Sequence, residues 1–197
     1  MSRRSQWFEE LARRIAAKEW RACPELLYRV LYGLPSDQQL AMAIAEMKRY
    51  LPLFRVRWPG FSWPEQILNS PEAWIEKFRR EVPQEPSAAN AADASFFFCF
   101  DALLLGTTYR ANPRVLTSSA ACAVLDAIQA FESDPLAPAP RDTSRVREWQ
   151  CMLDWLRTRK LSLAPDAETE ALERDLAVWK EHSMQLIVPE SEVRPQI

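Results

Sequence analysis

The sequence predicts an all-α protein, a single-domain bundle of seven or eight helices, and three observations carry that expectation. Apolar residues recur at helical spacing in almost every segment, as Leu40, Ile44, Met47 and Leu51 do at i, i+4, i+7 and i+11. Continuous β-branched runs with strict alternation are missing. Helix-start signals, a capping side chain directly before a proline, stand at Ser70-Pro71 and Asn112-Pro113.

The elements follow in order. Leu26, Leu27, Val30, Leu31 and Leu34 mark a short helix with Gly33 near its end, where a left-handed residue closes a helix most cheaply. The next starts at Ser36, with Gln39 three residues on completing a capping-box pattern, and carries the Leu40–Leu51 stripe. Trp74, Ile75, Phe78 and Val82 follow Ser70, and an apolar Ala/Phe/Leu stretch over 95–106 holds Asp101. Leu116, Ala120, Val124, Ile128 and Phe131 follow Asn112. Val146, Trp149, Leu153 and Leu156 mark one late helix, and Leu172, Leu176 and Trp179 another. Three segments interrupt this pattern. Residues 55–64 cannot be regular helix, because Pro59, Gly60 and Pro64 break it. Residues 133–140 hold three prolines and read as an internal linker of one domain spanning 1–187, and 188–197 read as a flexible polar tail.

Composition narrows the function. A chain of 197 residues with 48% hydrophobic and 26% charged side chains is globular and large enough for its own core. Three glycines leave no Gly-x-Gly-x-x-Gly and no Gly-rich loop ending in Gly-Lys, so nucleotide enzymes of those two types are excluded. Charge sums to −2, with 11 Lys/Arg against 6 Asp/Glu in residues 1–60 and 5 against 10 in residues 61–140. The basic residues are interleaved with acids instead of forming a stripe, so no nucleic-acid partner is expected. The basic N-terminus is followed by Glu9, Glu10, Arg13 and Arg14 instead of a signal-peptide core, and Asp101 interrupts the most apolar stretch. Cys23, Cys99, Cys122 and Cys151 lie far apart in apolar surroundings and read as reduced core thiols, which with the preceding points predicts a cytoplasmic protein without a membrane span.

Little in the chain points to catalysis. His182 is the only histidine, no Gly-x-Ser-x-Gly or His-Glu-x-x-His occurs, and no metal-ligand spacing stands out; no catalytic residue, metal or cofactor is expected. Asp101 is different, because its neighbours at i±3 and i±4 are Phe97, Phe98, Leu104 and Leu105. A carboxylate there needs water, an arginine or several donors. Two readings fit it: a structural acid paired to a neighbouring helix, or the polar group of a ligand pocket. Arg55, Arg57, Trp58, Phe61 and Trp63 form the strongest candidate for partner contact, since Arg and Trp dominate interface hot spots and prolines stiffen the loop. The same residues also suit a plug that closes one end of a bundle. Glu65, Glu72, Glu76, Glu81, Glu85 and Asp93 make the following stretch negative, either as a solvated face or as a field that steers a basic partner.

A layout match adds to this. A Gln-Gln-Leu-Ala-Met-Ala helix is followed by Tyr50-Leu51-Pro52-Leu53-Phe54, the helix holding Asp101, then Asn112-Pro113, an Ala-rich helix with Asp126, and a Glu148-Trp149-Gln150 helix with Asp154. This order resembles the YjaG-like family of small all-helical bacterial proteins over residues 25–182. The resemblance implies immunity-type proteins that act beside bacterial toxins, and no catalytic residues. The reading is therefore a cytosolic protein-binding module, an immunity (antitoxin-like) protein that neutralises a bacterial effector by stoichiometric occlusion. Arg55, Arg57, Trp58, Phe61, Trp63, Glu72, Glu76 and Asp93 would make the contact. The alternatives are a small-ligand-binding or enzymatic protein with a pocket around Asp101, and a homo-oligomeric scaffold; the oligomeric state stays open.

Overall fold

The computed structural model describes residues 2–78, 88, 90–137, 140–161 and 167–183. They form nine α-helices and no strand: α1 (Arg3–Ala16), α2 (Cys23–Leu31), α3 (Ser36–Arg57), α4 (Trp63–Asn69), α5 (Pro71–Phe78), α6 (Ala91–Thr108), α7 (Pro113–Ser133), α8 (Arg141–Thr158) and α9 (Thr169–Ser183), with a 3₁₀ turn at Trp20–Ala22. The all-α expectation holds, and the count exceeds seven or eight for two local reasons. First, α1 places Phe8, Leu11 and Ile15 on one buried face, and the Ser2 hydroxyl caps it by accepting from the Ser5 amide at 3.1 Å. Second, α4 arises inside the predicted break. Pro64 sits in its first turn, where a missing N–H costs nothing, so only Trp58–Ser62 remain non-helical. The predicted polar tail and Val82 lie outside the described residues, and His182 falls in the last turn of α9.

The capping box at Ser36 does not form. Pro35 occupies the cap position, and Gln39 turns into the core to donate from Nε2 to the Leu34 carbonyl at 2.9 Å. Gly33 does what its position predicts, with φ of +75° just after α2, and a Cβ there would meet Ala167 at 2.7 Å.

The centre of the bundle is the hairpin of α6 and α7, joined by the Tyr109–Asn112 turn and capped where the Asn112 side chain accepts from the Val115 amide at 3.3 Å. The two helices meet along small residues, with Ser95, Cys99 and Gly106 on α6 and Ser119, Ala123, Ala127 and Ala130 on α7 all buried. A Cβ built on Gly106 would stand 3.0 Å from that of Ser119, so glycine is what lets the backbones approach. Helix α3 lies across this hairpin, and its Tyr50 ring packs edge-on against Phe96 (4.8 Å) and Phe131 (5.3 Å). Helices α1, α2 and α8 complete the other side. α9 is held to α2 by Tyr32 Oη donating to Asp175 at 2.7 Å and by the Tyr28–Trp179 ring contact at 5.0 Å.

By length and composition α6 and α7 are apolar enough to cross a membrane, yet 50% and 61% of their apolar windows are buried inside this bundle.

The close approach of α6 and α7 is testable. Gly106→Val should cost about 1–3 kcal/mol by overpacking against Ser119 and Leu40, measured by urea unfolding. Gly60→Ala, where the new methyl meets nothing within 4 Å, should change stability by less than about 0.5 kcal/mol.

Candidate functional site

The segment predicted to contact a partner is turned inward, because its arginine is needed by two acids. Arg57 ends α3 and reaches both the start of α6 and the residue after α7. Its Nε donates to Asp93 Oδ1 at 3.0 Å, its Nη2 to the same oxygen at 2.5 Å, and its Nη1 to both Asp134 oxygens at 2.8 and 2.7 Å. Nη2 also donates to Tyr50 Oη at 2.6 Å, and Tyr50 in turn donates to Asp134 at 2.6 Å. Trp58 Nε1 reaches the second Asp93 oxygen at 3.1 Å. The Asn90 side chain accepts from the Asp93 amide at 3.0 Å, and Asp134 Oδ1 accepts from the Leu136 amide at 2.7 Å. Burial works against the charge on Arg57, but the hydrogen bonds it donates to Asp93, Asp134 and Tyr50 outweigh it and raise its pKa. Burial, then the bond to Asp134, raises Tyr50.

Asp93 is therefore not the partner-facing carboxylate expected from the sequence: its side chain is fully buried. Trp63 is buried against Phe100 (4.9 Å) and Phe97 (6.2 Å), and Phe61 packs edge-on to Trp58 at 5.9 Å. Only Arg55 of the five remains exposed, paired with Glu65. Glu72 and Glu76 are exposed, and Glu72 lies 3.6 Å from Arg110. None of the eight tryptophans is exposed: four are buried, and Trp7, Trp20, Trp58 and Trp155 pack on the core from its edge. Trp7, Trp20 and Trp155 lie under the guanidinium groups of Arg29, Arg145 and Arg159. The aromatic surplus goes into packing.

A second buried network joins α3 to α8. Glu148 accepts from Arg49 at 2.9 and 2.6 Å and from Arg147 at 2.8 Å, and Glu46 lies 3.6 Å from Arg49. Burial pushes the Glu46 carboxyl up to about 8, with Arg49 opposing and the Glu148 charge adding to the rise. Beside it an open depression of about 550 Å³ is bounded by Lys18, Asp142, Val146, Arg147 and Cys151. Asp101 is not among the residues that line it.

Asp101 itself lies on the outer face of α6, exposed, in a row with Phe98 (61% exposed), Leu105 (48%) and Tyr109 (53%). The spacing of i, i+3, i+7 and i+11 makes this one stripe along the helix. The sequence reading of a carboxylate enclosed by Phe98 and Leu105 thus meets the opposite geometry, because those two side chains face outward with it. Partial burial alone raises its pKa. On α7, Asp126 is pushed up to about 7, again by burial alone. Asp126 adds to the burial-driven rise of the Cys99 and Cys122 thiols. Phe98, Leu105 and Tyr109 are not singled out by the sequence as surface residues. The signal was present: α6 carries more large apolar residues than one buried face can hold.

Among the described residues no group of three His, Cys, Asp or Glu side chains is arranged to hold a metal. Comparison with protein-family models, curated proteins and solved structures finds no match.

Two outcomes follow. Arg57→Met should destabilise the fold by about 3–5 kcal/mol, because it strands two buried carboxylates, and chemical denaturation measures it. Glu46 holds its proton in the folded state up to about pH 8, whereas its ordinary value is 4.5. The stability from its neutral form is then complete below pH 4.5 and is lost as pH rises through 8. Thermal unfolding between pH 5 and 9 should show a decline that Glu46→Gln flattens.

Proposed function

We propose that the chain is a protein-binding module that neutralises a bacterial effector by stoichiometric occlusion, and that it meets its partner through the outer face of α6. The observation that carries this reading is the exposed row of Phe98, Leu105 and Tyr109 on a helix whose other faces form the core. Large apolar side chains aligned on a rigid core helix are the usual anchors of an interface, held without the entropy cost of ordering a loop. Exposed Glu72 on α5, which packs beside α6, and Asp101 within the row supply a polar rim. The immunity assignment itself rests on the layout resemblance, with a cytoplasmic address proposed alongside it. Arg55 and Glu76, exposed but off the stripe, are left as peripheral contacts.

The test is co-expression with each gene product encoded beside this chain that arrests growth when expressed alone. Wild type should restore growth and elute with the toxin as a complex of fixed stoichiometry. Phe98→Asp and Leu105→Asp, with unchanged circular dichroism, should each weaken the complex by about 2 kcal/mol or more and lose protection. Full protection by both variants would remove α6 from the interface.

A further inference from the structure

The buried carboxylates at the helix contacts are matched to arginines, and two acids of the α6–α7 hairpin, exposed Asp101 and half-buried Asp126, stand outside that pattern. Asp93 and Asp134 share Arg57, Glu148 holds Arg49 and Arg147, and Glu132 holds Arg145 at 2.5 Å. Among the described residues, no ion pair joins Asp101 or Asp126 to such a cation. Burial is the only influence on either pKa, and no Lys or Arg stands at i±3 or i±4 from either residue. Between Ala91 and Tyr109 there is no basic residue at all, and α7 carries only Arg114. Both acids belong to the same antiparallel hairpin, where the close approach of Gly106 to Ser119 sets the Phe98–Cys99 turn of α6 level with Asp126 two turns away. Partly desolvated, unpaired carboxylates cost the free protein stability that an incoming cation returns.

Resting on the binding reading above, we propose that the partner docks on the α6–α7 face with a basic amphipathic helix. Its apolar side would lie on Phe98, Leu105 and Tyr109, and its Arg or Lys side chains on Asp101 and Asp126. The row from Phe98 to Tyr109 is about 16 Å long at 1.5 Å per residue, which matches three turns of a helix laid along it. Charge complementarity selects the occupant. A second copy related by a two-fold axis would bring the same acidic, apolar stripe against itself, and an anionic lipid surface would be repelled by it.

The test uses two fluorescein-labelled 18-residue helices with identical leucine faces, one with arginine and one with glutamate on the flanks. Their binding to the full chain is followed by anisotropy at 50 and 300 mM salt. The Leu/Arg helix should bind, more weakly at high salt, and the Leu/Glu helix should not. Asp101→Asn with Asp126→Asn should weaken binding by about tenfold or more, as should Phe98→Ser. Asp154→Asn on α8, an exposed acid beside Arg157 at 3.1 Å, should leave it unchanged. Replacing desolvated carboxylates with amides should not lower the melting temperature, so lost binding in the double variant would not reflect unfolding. Failure of the Leu/Arg helix to bind, equal binding of both helices, or full affinity in the double variant overturns the proposal. So does a dimer in sedimentation that Phe98→Ser dissociates. The two readings separate in the growth assay: if Phe98→Ser loses protection and the double Asn variant keeps it, the α6 surface stands and the basic-helix partner falls.

Discussion

The guanidinium of Arg57 is where three helices of this protein meet, and the arrangement of the rest follows from satisfying it. One cation at the end of α3 bonds the first turn of α6 through Asp93 and the residue after α7 through Asp134, with Tyr50 donating into the same cluster. A buried network of this kind adds little net stability over well-packed apolar side chains, but it tolerates only one register. It fixes where α6 starts against α3, and so which face of α6 the core consumes. The Trp58–Ser62 turn is pulled inward by the same bonds, since Trp58 also donates to Asp93.

With that register set, the α6–α7 hairpin closes on its small residues. Ser95, Cys99 and Gly106 let the two backbones come together. Close approach leaves the larger side chains of α6 to be divided between two directions: Phe96, Phe100 and Leu103 go to the core, and Phe98, Leu105 and Tyr109 to the surface. The interaction surface proposed for this protein is in that sense a consequence of tight hairpin packing. The acids that accompany it, Asp101 and Asp126, have no Lys or Arg at i±3 or i±4 to pair with.

Much of the fold was legible in the sequence, because a period of 3.6 survives wherever one face is buried. Leu116, Ala120, Val124, Ile128 and Phe131 all lie in the core, as do Leu172, Leu176 and Trp179. The site was not legible, and Asp93 and Asp101 show why. Asp93 follows a run of exposed-looking acids yet is buried, since its partner Arg57 is 36 residues away and Arg57's other partner, Asp134, is 77 away. Pairings at such separations leave no local pattern. Asp101 is surrounded by large apolar residues yet is exposed, because α6 is apolar on every side and its inward face is chosen by small residues whose counterparts are on α7. The Trp-rich segment shows a related limit: composition marks interface and core alike, and here the tryptophans pack on the core.

Hydroxyl-radical footprinting of the free protein, read residue by residue by mass spectrometry, tests the central claim that α6 faces outward while the Trp58–Trp63 segment faces in. Phe98, Leu105 and Tyr109 should be oxidised rapidly, Trp63 and Trp74 should be protected, and Trp58 should fall between them. Fast oxidation of Trp58 and Trp63 together with protection of Phe98 and Tyr109 would contradict the account and return the partner-binding surface to the tryptophan turn.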